Sequence, residues 1–132
     1  MRSTLSLYRR AEKELERARA ANEAVKPAWA WLAAHAAAEY AIKALRLQHS
    51  LNGHERIVGR LLQDMPVEVP VPDTLRHRAA ILDAHYLPVR ARAENGAPRL
   101  DPPPTAEAIA IAEEVLEFVR THLRSPALMQ HR

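Results

Sequence analysis

The sequence predicts an all-α protein, an up-and-down four-helix bundle with one extra short helix. Alanine, the strongest helix former, is the commonest of the 132 residues with 25 copies, whereas glycine occurs three times. Residues 29–47 are apolar on nearly every side of a helix, which indicates the central helix of a bundle. Residues 66–72 alternate as a strand would, but their three prolines favour an extended connector.

The first half of the chain predicts two long helices and a short one. Apolar residues at spacings of three and four predict an amphipathic surface helix over residues 4–24. Pro27 stands at the start of the second helix, where proline is tolerated. The Asn-Gly pair at 52–53 predicts its end after about residue 51. Residues 54–65 place their apolar side chains on one side and predict the short helix.

The second half predicts two more helices. Asp73 or Thr74 can cap the third long helix, and Pro88 is expected to end or kink it. The proline-rich stretch 90–104 predicts a long loop, of a kind that is often functional or mobile. Thr105 is expected to cap the last helix. The predicted buried residues of these two helices are Leu75, Ala79, Leu82, Tyr86, Ile109, Ile111, Ala112, Val115, Leu116, Phe118, Val119 and Leu123.

Length and composition predict one domain over residues 1–124, followed by a flexible C-terminal tail over 125–132. There is no cysteine, which excludes disulfides, thiolate metal sites and a cysteine nucleophile. No apolar run reaches the length of a membrane span, and the charged N-terminus lacks a signal-peptide core. These features predict a cytoplasmic protein. The net charge of +3 is mild, so a basic surface patch is possible but not required.

A polar stripe crosses the otherwise apolar central helix. His35, Glu39 and Lys43 are spaced four apart and Arg46 follows three later, so the four share one face. The favoured interpretation is a buried ion pair that faces a neighbouring helix or a second subunit. The alternatives are an exposed Glu–Lys pair, a nucleotide groove, or a metal pair of His35 and Glu39, which lacks further ligands. Neither a metal site nor a cofactor is predicted.

Several motifs in order resemble the HEPN domain, a family of small helical bundles. The alanine-rich segment 28–48 carries the pattern A-x-x-A-x-E-x-x-x-K with Glu39 and Lys43. A histidine, His54, then opens the short helix with its Leu-Leu pair. The run Leu-Asp-Ala-His-Tyr-Leu-Pro-Val-Arg at 82–90 is similar to the family's Leu-Asp, Tyr-Ile-Pro and Arg segment. The family's Tyr-Pro-Asp after that arginine is replaced by Ala-Arg-Ala.

This resemblance implies a nucleotide- or RNA-binding module. Such domains usually form homodimers and often act with a minimal nucleotidyltransferase in toxin–antitoxin-like pairs. The groove expected from the resemblance is lined by Glu39, Lys43, Arg78, His85 and Arg90. Alternatively, such a bundle serves only as a structural subunit that binds another protein.

Some relatives are metal-independent ribonucleases with an Arg-x(4–6)-His motif, and Arg78 with His85 fits Arg-x6-His. Seven residues are about two helical turns, so both side chains leave the same side of the helix. The histidine could move a proton of the 2′-hydroxyl, and the arginine could stabilise charge on the phosphate. With 16 arginines and 7 histidines, the spacing can also arise by chance. An enzyme is therefore an alternative prediction.

The sequence also suggests roles for residues outside these motifs. Arg90, with Arg92 and Arg99 after it, could contact phosphate or lie in a solvated loop. His54 is expected to cap or position the short helix. The aromatic residues of the central helix, Trp29, Trp31 and Tyr40, are expected to lie in the core or an interface rather than to stack on bases.

Overall fold

Five helices make up the described part of the protein. The computed structural model describes residues 3–51, 53, 55–95 and 104–124, with only the backbone for 87–95. Within these residues there is no strand, and the predicted all-α bundle of four long helices and a short one is confirmed. No described helix is long and apolar enough to cross a membrane. The helices are α1 (Thr4–Glu23), α2 (Pro27–Gln48), α3 (Val58–Gln63), α4 (Asp73–Asn95) and α5 (Thr105–His122).

Helix α2 lies at the centre of the bundle, as its composition predicts. It contacts each of the other four helices. Six of its alanines are fully buried, and their small side chains allow the neighbouring helices to approach closely. Larger buried side chains fill the remaining space between the helices. The fully buried residues of α2 include Ala30, Ala34, Ala37, Ala38, Ala41, Ala44, Trp31, Ile42 and Leu45.

At the start of α1, Ser3 caps the helix through a capping box with Ser6, which satisfies free N–H groups of the first turn.

A tight turn joins the end of α1 to α2. After α1, Val25 adopts a left-handed conformation with φ 56°, and the Lys26 N–H donates to the Ala21 carbonyl at 2.8 Å. So short a connection makes α1 and α2 antiparallel neighbours.

The short helix α3 is held at both ends by charged side chains. At its N-terminus the Asp83 carboxylate of α4 accepts the N–H groups of Val58 at 2.9 Å and Gly59 at 2.7 Å. At its C-terminus Arg46 of α2 donates to the carbonyls of Leu61 at 3.1 Å and Asp64 at 3.0 Å. A six-residue helix is marginal alone. Each charge matches the helix dipole and satisfies free backbone groups.

Several predicted helix ends were wrong. Helix α2 stops at Gln48 and the left-handed residue beyond it is Ser50, with φ 60°, so the pair at 52–53 is not its cap. Helix α3 begins only at Val58, because its first N–H groups are satisfied by a distant carboxylate rather than by a local cap. The predicted cap His54 lies outside the described residues.

Helix α4 does not end at Pro88, and it continues to Asn95. Proline costs an interior hydrogen bond, but the alanines, arginines and glutamate that follow are good helix formers. The first residues of the predicted loop 90–104 are therefore helical. Pro104 is the N-cap of α5, and Thr105 is the first residue of the helix. Its hydroxyl donates to Asn22 Oδ1 instead of capping the helix.

Helix α5 buries its predicted wide face, with Phe118 only partly covered. It also accepts a hydrogen bond from a buried side chain of α1. The buried Tyr8 hydroxyl donates to the Leu116 carbonyl at 3.2 Å. Burial, followed by the nearby Glu12 carboxylate, raises the pKa of Tyr8 from 10.0 to about 12.

Replacing Asp83 should destabilise the bundle strongly. In Asp83→Ala two backbone N–H groups and the ring of His35 lose their acceptor, so the free energy of unfolding should fall by about 3 kcal/mol. Urea denaturation measures this change. Asp64→Ala is the matched control, because that carboxylate is exposed, and it should change stability by less than about 0.5 kcal/mol. Equal small effects of both variants would contradict the α3 clamp, that is, the hold of Asp83 and Arg46 on the two ends of α3.

Stability should fall in alkali because of Tyr8. The folded protein holds the phenolic proton up to about pH 12, whereas the unfolded chain releases it near 10.0. This contribution is therefore complete below pH 10 and lost as the pH rises to about 12. Urea midpoints measured across this range should drop more steeply for the wild type than for Tyr8→Phe. Parallel curves would show that the Tyr8 proton does not contribute.

Candidate functional site

An open groove of about 540 Å³ runs between α1 and α2. Its far side is formed by Tyr86 of α4 and by Arg56, which precedes α3. The size suits a small ligand or a short segment of a larger one. The side chains that line it are largely charged or aromatic: Arg10, Glu14, Arg17, Trp29, Leu32, His35, Ala36, Glu39, Tyr40, Arg56 and Tyr86.

Three arginines surround the groove, and one buried carboxylate lies between two of them. Glu14 accepts from Arg17 at 3.2 Å and lies 3.6 Å from Arg10. A single carboxylate cannot neutralise two guanidinium groups, so positive charge remains on this side of α1. The exposed Arg56 adds a third guanidinium, and it makes no ion pair with the described residues. The groove therefore favours an anionic ligand.

Aromatic residues lie beside these charges. The Arg10 guanidinium lies over the Tyr40 ring, 5.1 Å from its centroid, which is a cation–π contact. Trp31 is fully buried and Tyr40 packs against the core, so both agree with their predicted places. Trp29 lies outside the core, with 58% of its surface exposed at the edge of the groove, and its predicted place in an interface stays a prediction.

His35 connects the groove to the α3 clamp. Its Nε2 lies 2.9 Å from Asp83 Oδ1, and because an ionised carboxylate only accepts, Nε2 carries the proton. The ring stacks on Tyr86 with centroids 3.6 Å apart. Its Nδ1 is buried and has no hydrogen-bond partner among the described residues.

Glu39 and Lys43 pair with each other across one helical turn at 2.8 Å, and both are largely buried. Glu39 lines the groove, whereas Lys43 lies one turn beyond it. Both members of the alternative metal pair thus have other partners, Asp83 for His35 and Lys43 for Glu39. In the described part of the chain no three His, Asp or Glu side chains are grouped as metal ligands.

Arg78 and His85 contact different helices and lie outside the groove. Arg78 makes a two-pronged ion pair with Glu114 of α5, at 2.9 and 2.7 Å, and this hydrogen bonding raises the pKa of Arg78. His85 instead packs edge-on against Trp31 of α2, with centroids 5.1 Å apart. No hydrogen bond, ion pair or ring contact joins the two side chains in the described structure, and their catalytic role stays a prediction.

The remaining basic candidates are not described at side-chain level. Arg90 and Arg92 lie in the last turns of α4, where only the backbone is described. Arg99 lies outside the described residues. Their proposed contacts with phosphate therefore stay predictions.

The opposite side of α1 has the reverse charge. A second groove of about 490 Å³ separates α1 from α5. Its two arginines already pair with glutamates, Arg19 with Glu113 at 2.6 Å and Arg120 with Glu117 at 2.6 Å. Two further glutamates line the same surface, Glu12, which pairs with Arg9 at 2.8 Å, and Glu16. This surface therefore suits a polyanion less well than the groove on the α2 side.

Sequence reasoning missed the groove arginines and the clamp residue Asp83. One signal was available, because Arg10 and Arg17 are seven residues apart and so share one side of α1. Nothing local indicates Arg56, which reaches the groove only because α3 is held against α2 and α4.

The described residues form a small all-α bundle with a buried polar stripe and an arginine-lined groove. The HEPN domain family model matches residues 4–122, so the chain belongs to the HEPN family. That family is associated with nucleotides and RNA, and its members often form dimers.

Two solved structures are similar. The protein TT1696 from Thermus thermophilus has a TM-score of 0.81 and 30% identity, over 93% of this chain and 100% of that one. ST0689, an archaeal HEPN homologue, has a TM-score of 0.72 and covers 92% of this chain and 98% of its own. At 22% identity the second similarity shows the fold alone. No curated protein matches the chain.

The Arg78–Glu114 pair should behave as a contact between α4 and α5. In a double-mutant cycle of Arg78→Gln and Glu114→Gln, the coupling free energy should be about 0.5–1 kcal/mol, because the pair is two-pronged but partly exposed. Urea denaturation of the four proteins gives this value. A coupling of zero would mean that Arg78 is available for another role.

Proposed function

We propose that this protein is a nucleotide- and RNA-binding HEPN module that acts as a homodimer with a partner nucleotidyltransferase in a toxin–antitoxin-like pair. The binding role is supported above all by the groove between α1 and α2, which Arg10, Arg17 and Arg56 line. The partner follows from the family resemblance, and it is tested by co-purification with a nucleotidyltransferase encoded beside this chain.

Phosphate is the group that these arginines suit best. A guanidinium presents a planar set of donors that matches phosphate oxygens. Arg10 and Arg17 are about 10 Å apart along α1, which is far enough to contact different phosphates of one ligand. Release of bound counterions would then contribute to affinity and make it depend on salt.

Glu39 and Lys43 have separate parts in this proposal. Glu39 lies in the groove as a hydrogen-bond acceptor, where it can receive N–H or hydroxyl groups of a base or ribose. Lys43 neutralises that carboxylate at 2.8 Å and so reduces its repulsion of phosphate. Arg90 remains a candidate for further phosphate contact.

RNA cleavage by Arg78 and His85 is the alternative activity. It would need a substrate that reaches α4 outside the groove, and Arg78 would have to exchange its Glu114 partner for phosphate. The RNA recovered from the binding experiments tests this alternative when it is run on a denaturing gel, which separates intact from cleaved strands.

Removal of the groove arginines should weaken binding. The double variant Arg17→Gln/Arg56→Gln should bind a fluorescein-labelled single-stranded RNA at least about tenfold more weakly, and the slope of log affinity against log salt should shrink by about 0.7 per arginine. Fluorescence anisotropy measures both quantities, and calorimetry with ATP tests a mononucleotide.

Lys13→Gln is the matched control. Lys13 lies on α1 outside this groove. Its replacement removes one positive charge, as each arginine replacement does, but affinity should change by less than about twofold. If the wild type binds neither RNA nor ATP, or if the control loses as much affinity per charge as the double variant, the proposed function is wrong.

A further inference from the structure

Trp29 is a large aromatic side chain that the bundle leaves exposed. It belongs to the first turn of α2 and leaves 58% of its surface uncovered, whereas Trp31, two residues later, is fully buried. A large indole gains free energy when it is covered, and indole surfaces of this kind are typical of binding sites. Trp29 also lines the groove that holds the three arginines.

The packing of α1 against α2 fixes where Trp29 lies relative to those charges. Arg10 lies over Tyr40, and because the helices are antiparallel, residues later in α1 lie opposite residues earlier in α2. Arg17 is therefore nearer the α1–α2 turn than Arg10, and Trp29 lies at that same end. A flat apolar surface thus lies beside guanidinium groups at one end of the groove.

We propose that the groove takes single-stranded RNA, with one unpaired base stacked on Trp29 and the neighbouring phosphates on Arg17 and Arg56. This inference rests on the proposed function and specifies its ligand. An exposed indole can stack only on a base whose face is free, as in a single strand. A groove of about 540 Å³ accommodates one or two nucleotides and not the width of a duplex.

A second copy of this chain is the competing occupant of the Trp29 surface. In a two-fold contact the same patch meets itself, and this patch carries three arginines but only two glutamates, one of them neutralised by Lys43, so two copies would bring net positive charges together. Like charges across an interface oppose association. The charge around Trp29 therefore favours a polyanion over a second copy.

Trp29→Ala should weaken the binding of a ten-nucleotide single-stranded RNA by about tenfold or more, because one stacked base is lost. Trp29→Phe should keep most of the affinity, since the smaller ring still stacks. The salt slope of Trp29→Ala should equal that of the wild type because no phosphate contact is removed, whereas Arg17→Gln should reduce it by about 0.7. A fully paired RNA of the same length should bind more weakly than the single strand.

Tryptophan fluorescence gives an independent readout. Single-stranded RNA should quench the wild type strongly and the Trp29→Phe variant weakly, because the remaining Trp31 is buried. Val67→Ala is the control for loss of an exposed apolar side chain, since Val67 is 92% exposed and lies outside the groove. It should leave affinity and quenching unchanged.

Three results would overturn the inference. If Trp29→Ala binds RNA as tightly as the wild type while the arginine variants bind weakly, the stacking contact is wrong and the proposed function stands. If Trp29→Ala turns a dimer into a monomer by light scattering and keeps its RNA affinity, Trp29 belongs to a protein interface. If no RNA of either form binds the wild type, the RNA ligand is wrong, and ATP binding then decides whether the broader proposal survives.

Discussion

The pairing of polar side chains on the buried helix α2 determines how the rest of the bundle is arranged. His35 and Arg46 are both buried, and a buried polar group without a partner costs roughly 1–3 kcal/mol. His35 meets Asp83 of α4, and Arg46 meets the last carbonyls of α3. Asp83 in turn holds the first N–H groups of α3. The position of α3, and with it Arg56, depends on these contacts.

Helix α1 separates two surfaces of opposite charge. Arg10 and Arg17 face α2, whereas Glu12 and Glu16 face α5. Residues two apart on a helix point in widely different directions, so a nearly neutral helix presents one basic and one acidic side. The mild net charge of the chain, +3, conceals this separation, which makes the α2 side the more suitable place for the proposed anionic ligand.

Most of the fold follows from local patterns, and the exceptions occur where distant groups intervene. The central place of α2 and the buried residues of α5 were predictable because periodicity decides which face is apolar. The start of α3 was not, since a carboxylate 25 residues away satisfies its first N–H group. Pro88 does not end its helix, because the helix-forming residues after it outweigh the local rule against proline and α4 continues to Asn95.

The sequence by itself determined an all-α bundle, its buried central helix and its family, because these depend on spacing and composition. Only the tertiary structure decided which charged residues share a site. Arg17 and Arg56 meet at one groove because α1, α2 and the α3 clamp bring together segments far apart in the chain. Arg78 is turned toward Glu114 of α5 for the same reason. Which distant side chains come together depends on how the helices pack against one another, and a local sequence pattern does not contain that information.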